Sequence, residues 1–452
     1  MKVHFIAIGG SAMHNLAIAL HKKGIEVSGS DDEIFDPSYS HLKKYDLLPS
    51  RWGWDISKIN KDLDAVILGM HAREDNPELQ KAKDLGLKIY SYPEYIYEQT
   101  KDKIRIVVGG SHGKTSTTSM IMHVLKDLDI DFDYMVGADL DGFDTMVRLS
   151  EDAKYVVLEG DEYLSSPIDL RPKFHLYHPN IAVITGIAWD HINVFPTFDN
   201  YLSQFEKFSN MISESGSLIY YREDENLRKI ASNLRSDIKS IGYVEFNSIF
   251  ENDRVFLVDE GKKYPLRIFG SHNLQNISAA YYVCKEIGIS KNEFCESMST
   301  FTGASKRLQV LDETNDYIAF QDFAHSPSKL KATVKAVREQ YPNRQLIACM
   351  ELHTFSSLKK EFLPQYKDSL KEADIACIYY NPEVVKHKHL SPFSEEDVKH
   401  AFGKEGLNVF TKSEDLVNSL NDFNYKNTVL LLMSSGTFGG LDLEEIAKSM
   451  NK

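Results

Sequence analysis

The chain has 452 residues, 42% hydrophobic and 26% charged, a balance typical of a soluble globular protein with several domains. Fifty-two Lys and Arg against 66 Asp and Glu leave a net charge of −14. That argues against nucleic acid as a partner and leaves small anionic ligands open. No apolar run approaches the roughly 18–20 residues that a membrane span needs, so a cytoplasmic protein with no membrane partner is expected. Cys284, Cys295, Cys349 and Cys377 show no Cys-x-x-Cys spacing and read as buried, reduced thiols.

Short apolar strands alternate with longer amphipathic stretches, which predicts α/β architecture. The first block opens with a strand over 3–8, a glycine turn and a helix over 12–23. Strands follow near 26–28 and 65–68, the latter running into Gly69-Met70-His71. Lys101-Asp102-Lys103 reads as a linker. A second block starts with a strand over 104–108 and a helix over 115–128. Its strands at 155–158 and 181–187 end at Glu159 and at Asp190-His191. It closes after a helix near 276–287. The third block carries strands near 317–320, 345–350, 375–379 and 428–433. The expected division is 1–103, 104–303 and 304–452.

Gly110-Ser111-His112-Gly113-Lys114-Thr115 lies between a predicted strand and a predicted helix, the setting of a phosphate loop. Glycines let backbone N–H groups approach phosphate oxygens at a helix start. Lys114 would neutralise the β- and γ-phosphates, and the Thr115 hydroxyl would bind Mg²⁺. Val108 stands where the strict pattern has glycine, and a glycine-rich turn with a solvated lysine is the bland alternative. Ligands of open α/β sheets sit at the carboxyl ends of strands. Glu159, Asp190 and His191 lie at such ends and would suit a metal, although imidazole is an unusual Mg²⁺ ligand. Without the loop, Asp190 would read as a helix cap and His191 as a structural histidine.

Together these residues resemble the Mur ligase family, and the likeness runs through nearly the whole chain. The Gly-Ser-His-Gly-Lys-Thr loop, with Ser116 after it, is similar to the family's ATP loop. Glu159 and His191 match its magnesium positions. Phe269-Gly270-Ser271-His272-Asn273-Leu274-Gln275-Asn276 resembles the adenine-holding segment, which implicates Asn273 and Asn276. Gly303-Ala304-Ser305-Lys306-Arg307 resembles the arginine-bearing hinge. Gln321-Asp322-Phe323-Ala324-His325-Ser326-Pro327 resembles the loop that meets the ribose and the closing active site. Ile8-Gly9-Gly10-Ser11-Ala12-Met13, with Ser28-Gly29-Ser30-Asp31 and His71, resembles the UDP-binding part of the branch that uses UDP-N-acetylmuramate. By spacing alone, that first turn is only a weak dinucleotide fingerprint.

The resemblance implies three domains. They are a Rossmann-like UDP-binding domain, a central ATP-binding domain with a mostly parallel sheet, and a Rossmann-like C-terminal domain for the amine. It implies an ATP- and Mg²⁺-dependent ligase of peptidoglycan metabolism, a monomer or homodimer, working through an acyl phosphate. Lys114, Glu159, His191, Arg307 and His325 would be catalytic. Phe205 stands where other branches carry a carbamoylated lysine, which favours the UDP-N-acetylmuramate branch. Ala188, Gln321 and Ser326 also depart from the family pattern.

Two amine substrates remain open within the branch. Asp161-Glu162-Tyr163 with Asp169, Arg171, Lys173, Phe174 and Tyr177, and the segment Met433–Gly440 near the C-terminus, favour the tripeptide L-alanyl-γ-D-glutamyl-meso-diaminopimelate. Glu351-Leu352-His353-Thr354-Phe355-Ser356, with His353 and Ser356 as amine contacts, is closer to the L-alanine-adding pattern. The tripeptide is the preferred reading. A regulatory P-loop ATPase and a Rossmann oxidoreductase are the readings from other classes.

Overall fold

The computed structural model describes residues 1–140, 142–189, 194–251 and 254–450. Residues 1–246 with 275–298 make one compact unit, and 247–274 with 299–452 make the other. The expected α/β class with largely parallel sheets holds.

In the first unit, β1 (Lys2–Ile6), β2 (Glu26–Ser30), β3 (Ala65–Leu68) and β4 (Ile89–Ser91) form a parallel sheet ordered β2-β1-β3-β4. Val3, Phe5, Ile6 and all four residues of β3 are buried. Such unbroken apolar runs mark strands covered on both faces. The helix Ser11–Lys22 follows β1 and buries Met13 through Leu20.

The same unit holds β5 (Ile104–Gly109), β6 (Phe132–Met135), β7 (Val147–Arg148), β8 (Tyr155–Glu159), β9 (Ile181–Ile184), β10 (Ser217–Tyr221) and β11 (Lys239–Tyr243). Their order is β11-β10-β9-β5-β8-β6-β7, parallel except for β7. The chain leaves β5 for strands on one side and returns to the other. This makes the carboxyl end of β5 a topological switch point, where open α/β sheets hold ligands. The loop 109–113 and the helix Lys114–Asp127 begin there.

In the second unit, β12 (Ser248–Glu251), β13 (Arg254–Asp259) and β14 (Lys262–Pro265) form an antiparallel sheet. The strands β15 (Gln309–Glu313), β16 (Tyr317–Asp322), β17 (Gln345–Glu351), β18 (Ile375–Tyr379), β19 (Asn408–Phe410) and β20 (Thr428–Met433) form a sheet ordered β15-β16-β20-β17-β18-β19. Only β15 runs antiparallel. Cys349 and Cys377 are register partners on β17 and β18, and all four cysteines are buried.

Two predicted ends move for local reasons. The strand expected over 181–187 stops at Ile184, because Thr185 and Gly186 turn back onto the phosphate loop. The helix expected from 276 starts at Ser271, directly after Gly270. Among the described residues, no helix is long and apolar enough to cross a membrane.

Candidate active site

The loop 109–113 takes its shape from glycine. Gly110 has φ +129° and Gly113 φ +76°, backbone that side chains rarely adopt. A Cβ on Gly110 would stand 2.2 Å from Thr185 Oγ1, and one on Gly113 2.3 Å from Asn276 Oδ1. The loop is stitched to the turn after β9 by Thr185 N to Gly109 O at 3.1 Å and Ser111 N to Gly186 O at 2.9 Å. The Thr185 hydroxyl donates to His112 O. Val108 is a buried residue of β5, so the turn that needs glycine begins two residues later.

Gly113 caps the helix Lys114–Asp127 without a side-chain hydrogen bond. The first backbone N–H groups and the helix dipole therefore face the loop unneutralised, which suits an anion. Ser116 lies buried on the first turn. Lys114 Nζ donates to Gly110 O at 2.6 Å and to Glu162 Oε2 at 2.7 Å. Burial opposes its charge, but carboxylates, Glu162 foremost, hold its pKa above the ordinary lysine value. A triphosphate fits such a cradle of glycine backbone, helix start and cation.

Glu159 is the last residue of β8 rather than the first after it. Its Oε1 accepts from Thr115 Oγ1 at 2.8 Å and its Oε2 from Gly137 N at 2.8 Å. Two expected metal ligands thus meet, and both offer oxygen, as Mg²⁺ prefers. Asp190 and His191 lie outside the described residues. Among the described residues, no group of three His, Cys, Asp or Glu side chains could hold a metal.

Asn276 sits against Gly113. Asn273, in the other unit, donates to Phe269 O at 2.8 Å. Phe205 is fully buried against Phe174 and Tyr201, so its position belongs to an aromatic cluster. Ala188 contributes only its backbone here, donating to Ser111 Oγ at 2.9 Å.

At the N-terminal sheet, an open cavity of about 730 Å³ is lined by Gly10, Asp31 and His71. Burial raises the Asp31 carboxyl to about 6, although Gly9 N donates to it at 2.7 Å. Ser11, Ala12, Met13 and Ser30 are not in the lining. Met13 and Ser30 are buried, and Ser30 O accepts from Ala7 N and Ile8 N. The sequence reading missed Phe35, Trp54 and Arg73, which do line the cavity.

In the second unit, the Arg307 guanidinium lies 4.6 Å from the Phe323 ring centroid, and the His325 ring meets the same phenyl edge-on. Asp322 accepts from Leu308 N and Ala324 N, both at 2.8 Å, which ties residue 308 to the end of β16. Gln321 and Ser326 flank this turn. His353 Nδ1 stands 3.6 Å from Glu351 Oε1, and Ser356 follows on the next turn. Glu351 is buried and accepts from Phe438 N at 2.8 Å and from the Ser434 hydroxyl. Burial works against its charge, yet His353, Ser434 and Phe438 N hold its pKa below the usual value. Glu351 and Glu162 were both missed as site residues, because their partners are distant in sequence.

Residues 108–284 match the Mur ligase middle domain, and residues 2–42 match the Mur ligase family catalytic domain. The chain is 33% identical over 393 residues to a UDP-N-acetylmuramate–L-alanine ligase of Caldicellulosiruptor bescii, covering 82% of each chain. It is 29% identical to the enzyme of that name from a Sulfurihydrogenibium species, over 100% of this chain and 98% of the other. Among solved structures, the UDP-N-acetylmuramate–alanine ligase of Thermotoga maritima aligns with TM-score 0.71 and 22% identity, covering 100% and 98% of the two chains. A murein peptide ligase of Psychrobacter arcticus aligns with TM-score 0.65 and 22% identity over the same shares. At that identity the two structures speak for the fold alone. With relatives of this identity and coverage, the chain belongs to the Mur ligase family and is an ATP-dependent, ADP-forming ligase.

Proposed function

We propose that this ligase joins UDP-N-acetylmuramate to L-alanine in peptidoglycan synthesis. The observation that carries the chemistry is the helix start at Gly113 without a side-chain cap, with Lys114 and Thr115 on its first turn and Glu159 hydrogen-bonded to Thr115. The name shared by relatives up to 33% identical supports L-alanine as the amine. This displaces the tripeptide preferred from the sequence. Part of the motif that favoured it has internal partners: Lys173 donates to Asp161 at 2.6 Å, and Arg171 pairs with Asp169 and Glu94.

In this reading residues 1–103 hold the UDP-sugar, with Gly10, Asp31 and His71 at the cavity. Residues 104–303 hold ATP, and 304–452 hold the amine near His353 and Ser356. The substrate carboxylate attacks the γ-phosphorus, the β–γ bridge breaks with its electron pair leaving on ADP, and an acyl phosphate forms. The neutral amine attacks the acyl carbon, phosphate leaves, and the amide loses a proton. Lys114 and the backbone N–H groups of the helix start meet charge on the transferring phosphoryl group. Thr115, Glu159 and His191 would hold Mg²⁺, which neutralises phosphate charge when bound. Arg307, Asp322 and His325 would serve the ribose and the acyl transfer from the third block.

The test is ADP release with UDP-N-acetylmuramate, offering L-alanine and the tripeptide in separate reactions. Turnover with L-alanine alone is expected. Turnover with the tripeptide alone would return the tripeptide reading. ADP release independent of any amine would point to a regulatory ATPase.

A further inference from the structure

Lys114 stands at one end of a hydrogen-bonded chain whose direction is set by hydroxyl protons. Ala188 N donates to Ser111 Oγ at 2.9 Å, and Tyr201 Oη donates to Glu162 Oε1 at 3.0 Å. A hydroxyl has one proton, so Tyr201, having given its own to the carboxylate, accepts the 2.8 Å bond from Ser111. Every donor therefore points toward Glu162. The other oxygen of Glu162 takes Lys114 Nζ at 2.7 Å. Ser111, Glu162 and Tyr201 are 2%, 1% and 0% exposed. They come from the phosphate loop, the segment after β8 and the helix Phe198–Asn210, and Ala188 comes from the turn after β9.

An ammonium group has three N–H donors. One reaches Glu162 and one Gly110 O, which leaves the third for a phosphate oxygen. Were Lys114 to swing wholly onto a nucleotide, the buried Glu162 carboxylate would give up the cation 2.7 Å away, an unfavourable loss. An incoming phosphate thus takes the third N–H, and any shift of the lysine gives up the Gly110 carbonyl before the bond to Glu162.

We propose that Glu162 is a positioning residue that tethers Lys114 in its phosphate-facing pose, and that Tyr201 and Ser111 fasten this tether to the backbone at Ala188. The proposal rests on the reading of Lys114 as a phosphate contact. It gives the strand-end segment 159–162 two tasks: Glu159 faces Thr115, and Glu162 aims the lysine.

The test is calorimetric titration of the full chain with magnesium ATP and magnesium ADP, alongside melting curves. E162Q keeps the size and removes the charge, and should weaken ATP binding about tenfold, the worth of one charge-assisted hydrogen bond. ADP should lose less, because it lacks the terminal phosphate. Y201F should weaken ATP binding roughly threefold. The double variant should bind no worse than E162Q, because Tyr201 acts through the carboxylate. Wild-type ATP affinity in E162Q, beside a K114A variant that has lost it, overturns the tether alone. Equal losses for ATP and ADP with a lowered melting temperature also overturn it, because they mark a purely structural role. Wild-type ATP affinity in K114A removes the phosphate-loop reading and the tether with it. Should E162Q fail to fold, Y201F decides, and unchanged ATP affinity there overturns the proposal.

Discussion

Thr115 and Glu159, 44 positions apart in the chain, are joined by a 2.8 Å hydrogen bond from Oγ1 to Oε1. Parallel pairing of β5 with β8 brings the first turn of one helix to the last residue of the neighbouring strand. Replacing Glu159 by Ala removes the carboxylate proposed to hold magnesium and should raise the magnesium concentration for half-maximal ADP release about tenfold or more. Magnesium titration of the steady-state rate checks this, and an unmoved curve would place the metal elsewhere.

Lys114→Ala removes the only side-chain cation described in the phosphate loop. Its buried Glu162 partner loses the cation 2.7 Å away, so some loss of stability is expected alongside the loss of activity. ADP formation should fall on the order of a hundredfold or more. A coupled ADP assay at saturating substrates reads the rate, and circular dichroism checks that the fold remains. An undiminished rate would end the phosphate-loop assignment.

Asp31 makes a pH prediction. Its carboxyl stands near 6 in the folded chain against an ordinary value of 3.8, chiefly because it is buried. A group raised on folding stabilises fully below its unfolded pKa, and that contribution is lost as pH rises through the folded value. The wild type should therefore lose stability relative to D31N between about pH 4 and pH 6, with a constant gap above. An asparagine Oδ1 can still accept from Gly9 N. Melting temperatures of both proteins from pH 4 to 8 give the comparison, and parallel curves would refute the assignment.

Gly436 allows His353 and Glu351 to pack closely. A Cβ there would lie 2.7 Å from Glu351 Oε2 and 2.7 Å from His353 Cγ. G436A should cost about 1–3 kcal/mol by overpacking. If His353 contacts the amine, the KM for L-alanine should also rise, with that for ATP little changed. Chemical denaturation gives the first quantity and initial rates give the second. A variant with wild-type stability and wild-type KM for L-alanine would show that this packing carries neither role.

Much of this was legible because strand ends and helix starts are local signals. The strand over 65–68 and those at 375–379 and 428–433 could be read from unbroken apolar runs, which only doubly covered strands need. Lys114, Thr115 and Glu159 could be paired because a parallel sheet gathers its strand tips along one edge. Ser30 and Met13 belong to segments that resemble a UDP-binding part, yet they are buried outside the cavity lining, because motif likeness says nothing about which way a side chain faces. Glu162 and Glu351 were missed as site residues for another reason. Their significance lies in Tyr201 and Ser434, 39 and 83 positions away, and no periodicity in the sequence links them. The antiparallel strands β12 and β14 went unassigned because Glu251 and Lys262-Lys263 cut short their apolar stretches, while the apolar run 255–258 of β13 was readable and passed over.

The buried cysteines have an experimental consequence. Burial pushes the Cys284 thiol up, and a hydrogen-bonded neighbour, Cys377, does the same for Cys349. A native molecule therefore offers an alkylating reagent almost no reactive sulfur, and labelling becomes a clock for opening. Cys284 and Cys295 report on one compact unit, Cys349 and Cys377 on the other. Peptide mapping of a single timed reaction can then tell which half of the molecule loosens first.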